Sequence, residues 1–322
     1  MSLLFFSFMT GGLGAWLVMK YGSKIGINDI PNERSSHKII VPKGGGIGIL
    51  IAFIGCSFFL NLSANFWIPC CVISLMSLWG DRYEIPPAIR LFIHFGCSWF
   101  FLLGFCFLNK PLLPSGLLSI PLSFFLAGTA NFYNFMDGID GIAGIAGIIG
   151  FLLLALYSWL FGNFEIYGML CIGIALSCFG FLFFNLTREK KVFMGDVGSI
   201  LLGFVFSCIV LILSENFLDF LIMAGFLFPF YFDELFTMVI RLRCGDALVK
   251  PHRKHIYQVL ANELSVSHWK IALSYGIIQL CIGFTAIHGR SLGLVYLISL
   301  YMIYCFIFVR ISIKIHKRVI VQ

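Results

Sequence analysis

Residues 197–214 read VGSILLGFVFSCIVLILS, a run of 18 residues without Asp, Glu, Lys or Arg. A helix needs about 20 consecutive apolar residues to cross a bilayer, so this run predicts a membrane-spanning helix. Ten stretches of this kind occur, and an eleventh is interrupted only by Asp233 and Glu234. The eleven stretches are residues 1–19, 44–62, 63–80, 91–108, 111–136, 141–164, 166–187, 197–214, 220–240, 271–289 and 291–309. The sequence therefore predicts an all-α, polytopic membrane helical bundle with about eleven transmembrane helices, in a single domain over residues 1–322.

The composition excludes a water-soluble enzyme. The chain has 322 residues, of which 60% are hydrophobic and 11% charged, and its mean hydropathy is +0.97, whereas soluble domains carry about 25% charged residues. The 22 Lys and Arg residues are too scattered to form a basic face, so we expect no nucleic-acid partner. The 11 cysteines lie mostly in apolar runs without a Cys-x-x-Cys pair. We interpret them as core residues and not as disulfides or zinc ligands.

The distribution of basic residues predicts the orientation, because Lys and Arg concentrate in cytoplasmic loops. With eleven spans, 20 of the 22 basic residues fall on one side of the membrane, and only Lys110 and Arg290 fall on the other. This predicts an outside amino terminus and a cytoplasmic carboxyl terminus. The first stretch lacks a positive leading segment and a small-residue cleavage site, so we expect a retained helix and not a signal peptide.

The same alternation places the dense polar segments on the cytoplasmic side. These segments are DIPNERSSHKIIVPKGGG, GDRYEIPPAIR, NFYNFMDGIDG, NLTREKKVFMGDVGS and RLRCGDALVKPHRKHIYQ. On the other side, Glu165, Glu215 and Asp219 each stand alone in a short loop. Any chemistry is therefore expected at the cytoplasmic face.

Two acidic motifs are the strongest candidates for a site. Asn131, Asn134, Asp137 and Asp140 recur every three residues, so on a helix they share one face. Asp196 directly precedes an apolar span. Separately these motifs could be a capping loop with solvated acids and a simple helix cap. Together they suit a metal–diphosphate substrate, because Mg2+ is commonly held by one or two carboxylates plus phosphates.

Other polar residues have two interpretations each. The segment from His252 to His255, with Arg90, Arg34 and Lys43, offers cations for phosphates, although the positive-inside bias alone would supply them. Asp233 and Glu234 lie about 10 Å from the cytoplasmic end of their helix. They suit either the floor of a cleft or a helix–helix hydrogen bond. The glycines at 44–46 suit either a packing and entry device for the second span or a flexible functional loop, although they lack the spacing of either standard nucleotide-binding glycine loop.

Through five motifs in order, the chain resembles the polyprenyl-phosphate N-acetylhexosamine-1-phosphate transferases of glycosyltransferase family 4. The most specific motifs are Asn131-x-x-Asn134-x-x-Asp137-Gly-Ile-Asp140-Gly and Phe193-Met-Gly-Asp196-x-Gly-Ser. The segments Asp29–His37 and His252–Gln258 are most similar to the branch that initiates O-antigen.

The resemblance implies transfer of an N-acetylhexosamine 1-phosphate from a UDP-sugar to undecaprenyl phosphate in the bacterial inner membrane, with release of UMP. It implies a bound Mg2+ ion, or Mn2+ in its place, near Asn134 and Asp196. The resemblance is compatible with either a monomer or a homodimer. The residues implied as catalytic are Asp81, Asp137, Asp196, His252 and His255. Those implied for substrate binding are Asn131, Asp140, Arg90, Lys43, Arg253, Lys254 and Asn185, with Asp140 toward the uracil and Asp137 beside the diphosphate.

The chain departs from the family at Gly80-Asp81, where the family has an Asp-Asp pair. A catalytically impaired relative is therefore one alternative. A secondary transporter or flippase is another, with Asp233 and Glu234 as its best support. Transporters place such groups near the bilayer midplane, often in two related halves, and no internal repeat is visible here. A non-catalytic membrane scaffold is disfavoured by the regularly spaced Asn and Asp residues.

Overall fold

The computed structural model describes residues 2–31, 36, 39–83, 85–106, 116–162, 165–187, 191–245 and 253–321. Its helices are α1 (Ser2–Tyr21), α2 (Ile47–Phe59), α3 (Ala64–Arg82), α4 (Pro87–Cys106), α5 (Gly116–Phe135), α6 (Ile142–Phe161), α7 (Glu165–Asn185), α8 (Asp196–Leu213), α9 (Phe217–Ala224), α10 (Phe228–Arg243), α11 (Ile256–Gln258), α12 (His268–His288) and α13 (Gly293–Val321). Two residue pairs, β1 (Asn28–Asp29) and β2 (Val41–Pro42), form a short antiparallel ladder. The predicted helical bundle is confirmed, apart from this ladder.

Helix α8 is the centre of the bundle. All of its residues from Val197 to Leu213 are buried, and it packs against α2, α3, α5 and α6. On one flank α1 packs against α2 and α7, and on another α12 packs against α6. A helix that is apolar on every side is expected to be surrounded by other helices. The stretch that predicted a membrane span is therefore also the core of the fold.

Seven helical stretches among the described residues are long and apolar enough to cross a membrane. One of them, residues 268–316, contains both α12 and α13, and α2 is apolar but shorter. Cysteines 56, 97, 171 and 208 are buried and free, and Cys305 is half-buried and free. An integral membrane bundle accounts for these features. The count of eleven spans and the orientation stay predictions.

The span that contains Asp233 is a broken helix. A 3-10 turn, Gly225–Leu227, separates α9 from α10. The hydroxyl of Tyr301 donates to the carbonyl of Leu221 at 3.0 Å. The Leu221 carbonyl also accepts from the amide of Gly225, so the bond from Tyr301 attaches α13 to the end of α9 beside the break.

An ion pair closes the end of the bundle opposite the predicted motifs. Asp219 Oδ1 accepts hydrogen bonds from the Tyr157 hydroxyl at 2.6 Å and from Arg290 Nε at 3.0 Å. Asn216 Nδ2 donates to Asp219 Oδ2 at 3.0 Å. The expectation that Asp219 stands alone in its loop was wrong, because the segment after α12 brings Arg290 to it.

We expect Asp219→Asn to destabilise the protein without touching the predicted motifs. The amide keeps one acceptor oxygen, so its nitrogen faces a donor, either Asn216 Nδ2 or the pair Tyr157 and Arg290, and the charge that pairs with Arg290 is lost, at a cost of about 1–3 kcal/mol. The measurement is the thermal unfolding midpoint of the detergent-solubilised protein. Glu215→Gln, at an exposed neighbouring acid, is the control and should leave the midpoint unchanged. An unchanged midpoint for Asp219→Asn would contradict a stabilising role for the pair.

Candidate active site

A polar cavity opens at the end of the bundle where the predicted motifs meet. Its volume is about 350 Å³. Its lining residues are Asp29, Ser36, Lys43, Asp81, Asn134, Asp137, Gly138, Ile139, Asp140, Asn185, Phe193, Met194, Gly195, Asp196, Gln258 and His268. They come from the carboxyl ends of α3, α5, α7 and α11, the amino ends of α8 and α12, and the segments between helices, including the one that follows α5. Consecutive long helices alternate in direction, so residues far apart in the sequence converge here.

Asp196 joins the two most specific motifs. Asn134 Nδ2 donates hydrogen bonds to Asp196 Oδ1 and to Ser199 Oγ, both at 2.9 Å. The guanidinium of Arg90 pairs with the other carboxylate oxygen of Asp196. Asp196 is also the first residue of α8, where the helix dipole favours negative charge. The predicted convergence of Asn134 and Asp196 is confirmed, and Arg90 lies beside them.

Asn131 lies one turn earlier on α5 and is not among the cavity-lining residues. Its Nδ2 is 3.0 Å from His94 Nδ1 and donates to the carbonyl of Ala127 at 2.7 Å. The expected substrate contact of Asn131 is therefore not supported by its position, because the side chain connects α5 to α4. The three-residue spacing correctly places it on the same helix face as Asn134, but at a greater depth.

Lys43 and Asp81 form an ion pair at the cavity wall. Lys43 Nζ is 3.2 Å from Asp81 Oδ1, and the Asp81 side chain is only 2% exposed. Among the described residues, Asp81 Oδ2 is buried without a hydrogen-bond partner. Gly195 packs against this oxygen in the left-handed region, with a φ of +73°, and a Cβ there would lie 2.6 Å from Gly44 N. Only glycine allows this close approach, which keeps Asp81 at the wall.

The glycine segment at residues 44–46 is a packing element. The amide of Gly45 donates to the carbonyl of Phe193 at 2.9 Å, and that of Gly46 donates to Met194 at 2.9 Å. These bonds fix the segment before Asp196 against the start of α2. These contacts support the interpretation of the glycines as a packing and entry device for the second span.

Asp137 lies just beyond α5 in the cavity wall. Burial and the nearby carboxylates of Asp196, Asp140 and Asp81 raise the pKa of Asp137 well above its ordinary value. An acid in such surroundings is stabilised by a cation or by a proton. The cavity therefore combines Asp137 with other acids in a way that favours a bound cation.

Asp140 is held by two basic side chains. Lys191 Nζ is 2.9 Å from Oδ2 and 3.1 Å from Oδ1 of Asp140, and His268 Nδ1 is 3.0 Å from Oδ2. Burial favours the neutral acid, but the hydrogen bonds and charges of His268 and Lys191 outweigh it, so the pKa of Asp140 is lowered. Asp140 therefore presents an ionised, oriented carboxylate to the cavity.

Asn185 lines the cavity, but its side-chain amide is hydrogen-bonded to backbone groups. Its Oδ1 accepts from the amide of Gly141 at 2.6 Å, and its Nδ2 donates to the carbonyl of Val192 at 2.9 Å. Asn185 thus connects the turn before α6 to the segment before α8. Its predicted role in substrate binding is indirect in this arrangement, because both polar atoms are engaged.

The predicted histidine segment is only partly at the cavity. His252 lies outside the described residues, as do residues 32–35 and 37–38 of the first motif. Arg253 and Lys254 are half-buried and are not among the lining residues. His255 is buried away from the cavity, with Nδ1 3.6 Å from Asp233 Oδ1 and Nε2 3.4 Å from Glu234 Oε2. The expected catalytic contact of His255 is not supported, because these two acids of α10 hold its ring.

Several polar lining residues were given no role by the sequence interpretation, among them His268, Gln258, Asp29 and Ser36. His268 begins α12 and contacts Asp140, and Gln258 ends α11. His268 belongs to none of the quoted motifs, and only its position at the start of an apolar span could have indicated it. Gln258 closes the predicted His252–Gln258 segment, but no role was assigned to it.

The donor set fits Mg2+. Oxygen ligands are available from Asn134, Asp196 and the unpaired Oδ2 of Asp81, in a cavity where Asp137 adds negative charge. The described residues contain no group of three or more His, Cys, Asp or Glu side chains arranged as a complete metal site. Mg2+ typically uses one or two carboxylates and completes its shell with water and phosphates. An arrangement with few protein ligands is therefore suitable for a metal that binds together with its substrate.

Comparison with known proteins agrees with the motifs. A family model described as glycosyl transferase family 4 matches residues 63–214. A Bacillus subtilis protein named as a probable undecaprenyl-phosphate N-acetylglucosaminyl 1-phosphate transferase is 26% identical over 260 residues, covering 76% of this chain and 72% of its own length. The undecaprenyl-phosphate alpha-N-acetylglucosaminyl 1-phosphate transferase of Escherichia coli K12 is 27% identical over 278 residues, covering 79% of this chain and 74% of its own.

A third relative is similar over a shorter region. The phospho-N-acetylmuramoyl-pentapeptide-transferase of Staphylococcus saprophyticus is 35% identical over 124 residues, which covers 36% of this chain and 37% of its own. The family match includes Asp81, Asn134 and Asp196, and all three residues line the cavity. Over residues 63–214 the chain is therefore similar to glycosyl transferase family 4, and the relatives that match about three quarters of the chain support the same family.

Proposed function

We propose that this protein transfers an N-acetylhexosamine 1-phosphate from a UDP-sugar to undecaprenyl phosphate at the cytoplasmic face of the bacterial inner membrane. An oxygen of the lipid phosphate attacks the phosphorus that carries the sugar, and the bond from that phosphorus to UMP breaks. The products are undecaprenyl-diphosphate sugar and UMP. The observation that carries the proposal is the cavity in which Asn134, Asp137 and Asp196 meet beside the paired cations Arg90 and Lys43.

The reaction requires the phosphate groups of both substrates to be bound in fixed positions. Phosphoryl transfer depends mainly on positioning and charge neutralisation, so cations at the phosphates carry much of the catalysis. Arg90 and Lys43 are now paired with Asp196 and Asp81, and we propose that both reach substrate phosphates when the site is loaded. The lipid phosphate is already ionised near neutral pH, so Asp81 and Asp137 need not act as a strong base.

Mg2+ is the proposed cofactor, with Mn2+ as the alternative ion. Asn134 and Asp196 would hold it, and when bound it would neutralise charge on the diphosphate. Asp137 would face the diphosphate from the end of α5. Asp140, oriented by Lys191 and His268, would face the nucleobase. The family names of the relatives support a sugar-phosphate transfer, and these individual roles are our proposal.

The proposed pathway is the initiation of O-antigen or a related cell-surface polysaccharide. The test is a panel of UDP-N-acetylhexosamines given to proteoliposomes that contain the protein, undecaprenyl phosphate and Mg2+. We expect at least one donor to release UMP, and protein-free liposomes are the control. Absence of UMP release with every donor, in protein shown to be folded, would contradict the proposal.

Removal of divalent metal is expected to abolish UMP release, and added Mg2+ should restore it. We also expect the half-saturating Mg2+ concentration to rise as the pH is lowered. The pKa of Asp137 is raised by burial and neighbouring acids, so protons compete with the cation for this cavity as the pH falls. The measurement is the initial rate against Mg2+ concentration at each pH. Full activity in excess chelator would contradict the metal assignment.

Gly80→Asp restores the acid pair of the family and is expected to preserve or raise the rate. A Cβ at Gly80 would lie 3.1 Å from Arg90 Nη2, so the new carboxylate could bind this guanidinium and release Asp196 for a cation. Gly80→Asn, of equal size but without charge, is the control. Initial rates of UMP release for the three proteins are the measurement. A complete loss in Gly80→Asp alone would show that this site is organised differently from the family.

The transporter alternative depended on Asp233 and Glu234 as ion sites within the membrane. Asp233 accepts hydrogen bonds from the amides of Ile256 and Tyr257 and from the hydroxyl of Tyr275. A carboxylate with these bonds has little capacity left for a transported ion. The observations therefore favour the transferase.

A further inference from the structure

The acid on the broken helix is one of the most completely bonded side chains in the protein. Asp233 is fully buried. Its Oδ1 accepts from the amide of Ile256 at 2.9 Å and from the Thr237 hydroxyl at 3.3 Å. Its Oδ2 accepts from the Tyr275 hydroxyl at 2.6 Å and from the amide of Tyr257 at 3.4 Å. A buried carboxylate is tolerated when its oxygens are satisfied in this way.

These bonds hold the segment that follows α10. The two amides belong to the first residues of α11, so Asp233 fixes the start of this short helix from a neighbouring element. His255 adds to the attachment, because its ring lies between Asp233 and Glu234 and stacks on Tyr257 with ring centroids 5.6 Å apart. None of these four residues lines the cavity.

The segment in turn supports the cavity wall. The hydroxyl of Tyr257 donates to the carbonyl of Phe135 at 2.9 Å, at the last residue of α5 and next to Asn134. A Cβ on Gly138 would lie 2.2 Å from the Tyr257 hydroxyl, so the turn with Asp137 packs directly on this ring. Gln258, the next residue, lines the cavity.

We propose that Asp233 is a positioning residue, which acts on the cavity through Tyr257. The buried carboxylate fixes α11, and α11 fixes the end of α5 that presents Asn134 and Asp137. His255 belongs to this attachment and contacts no substrate. The inference deepens the proposed function and rests on it for its kinetic test, but its structural test does not.

The first experiment is a double-mutant cycle on UMP release. In Asp233→Asn the amide nitrogen replaces one acceptor oxygen and faces one of the two backbone N–H groups, so we expect kcat/KM for the UDP-sugar to fall about 10-fold to 100-fold. Tyr257→Phe removes the hydroxyl that donates to the carbonyl of Phe135 and should lower kcat/KM about fivefold. If both residues act through the same attachment, the fold-decrease in kcat/KM of the double variant is smaller than the product of the two single fold-decreases. Strictly multiplicative effects, or wild-type kcat/KM in Asp233→Asn, would overturn the proposal.

A matched control separates positioning from stability. Asp219→Asn also removes a buried acid, but at the opposite end of the bundle, so it should lower the thermal midpoint while leaving kcat/KM unchanged. If Asp233→Asn fails to fold, Tyr257→Phe still tests the proposal, because unchanged kcat/KM there would overturn it.

The second experiment needs no activity. Hydrogen exchange of a peptide covering residues 253–264 should be faster in Asp233→Asn than in wild type or Asp219→Asn, because one of the amides of Ile256 and Tyr257 loses its acceptor and the charge that holds both is removed. Peptides from α6 should be unaffected. Unchanged exchange in residues 253–264 would overturn the proposal, whereas absence of UMP release by the wild type would count only against the proposed function.

Discussion

Asp196→Asn is expected to lower the rate of UMP release by about 10²–10³-fold or more, which is the loss seen when one preorganised electrostatic group is removed from an active site. The carboxylate of Asp196 is bonded by Asn134 and paired with Arg90 at the amino end of α8. An amide at this position removes the negative charge proposed to bind Mg2+ and leaves Arg90 without its acid. Initial rates with saturating Mg2+ and donor are the measurement.

The matched control is Glu215→Gln, which makes the same chemical change at an exposed residue beyond the other end of α8. It should retain the wild-type rate. Thermal midpoints of both variants will show that the protein is folded. A folded Asp196→Asn protein with more than about a tenth of the wild-type rate would contradict the proposed role of this carboxylate.

Asp137→Asn is expected to lower the rate about 100-fold while raising the thermal midpoint of the metal-free protein. Burial and three neighbouring acids raise the pKa of Asp137, so its ionised form opposes folding. A group with a raised folded-state pKa favours folding below its unfolded pKa, and that contribution is lost as the pH rises through the folded value. The gain in the midpoint should therefore be present near pH 8 and should shrink as the pH falls.

The measurements are rates with Mg2+ and midpoints in chelator at several pH values. Asp140→Asn is the comparison, because the pKa of Asp140 is lowered by His268 and Lys191 against the effect of burial. Its carboxylate favours folding at neutral pH, so its replacement should lower the midpoint. If Asp137→Asn also lowered the thermal midpoint, repulsion between the acids would not be the main effect of Asp137 on the stability of the folded protein.

The sequence was sufficient for the parts of the protein that depend on local pattern. Long apolar runs predict helices regardless of their neighbours, because each span must satisfy its own backbone hydrogen bonds in a membrane. The alternation of spans then predicted which polar segments share one end of the bundle. The three-residue spacing on α5 and the acid before α8 were enough to place Asn134 and Asp196 together, and the structure confirms this.

The pairing of charges was decided only by the tertiary structure. Nothing in the spacing indicated that Lys191 and His268 hold Asp140, that Arg290 reaches Asp219, or that Asp233 binds the amides after His255. Each of these contacts joins elements whose relative height and rotation are set by side-chain packing between helices. A shift of one residue rotates a helical side chain by about 100°, so the sequence determined which groups lie at each end, and packing determined which groups meet.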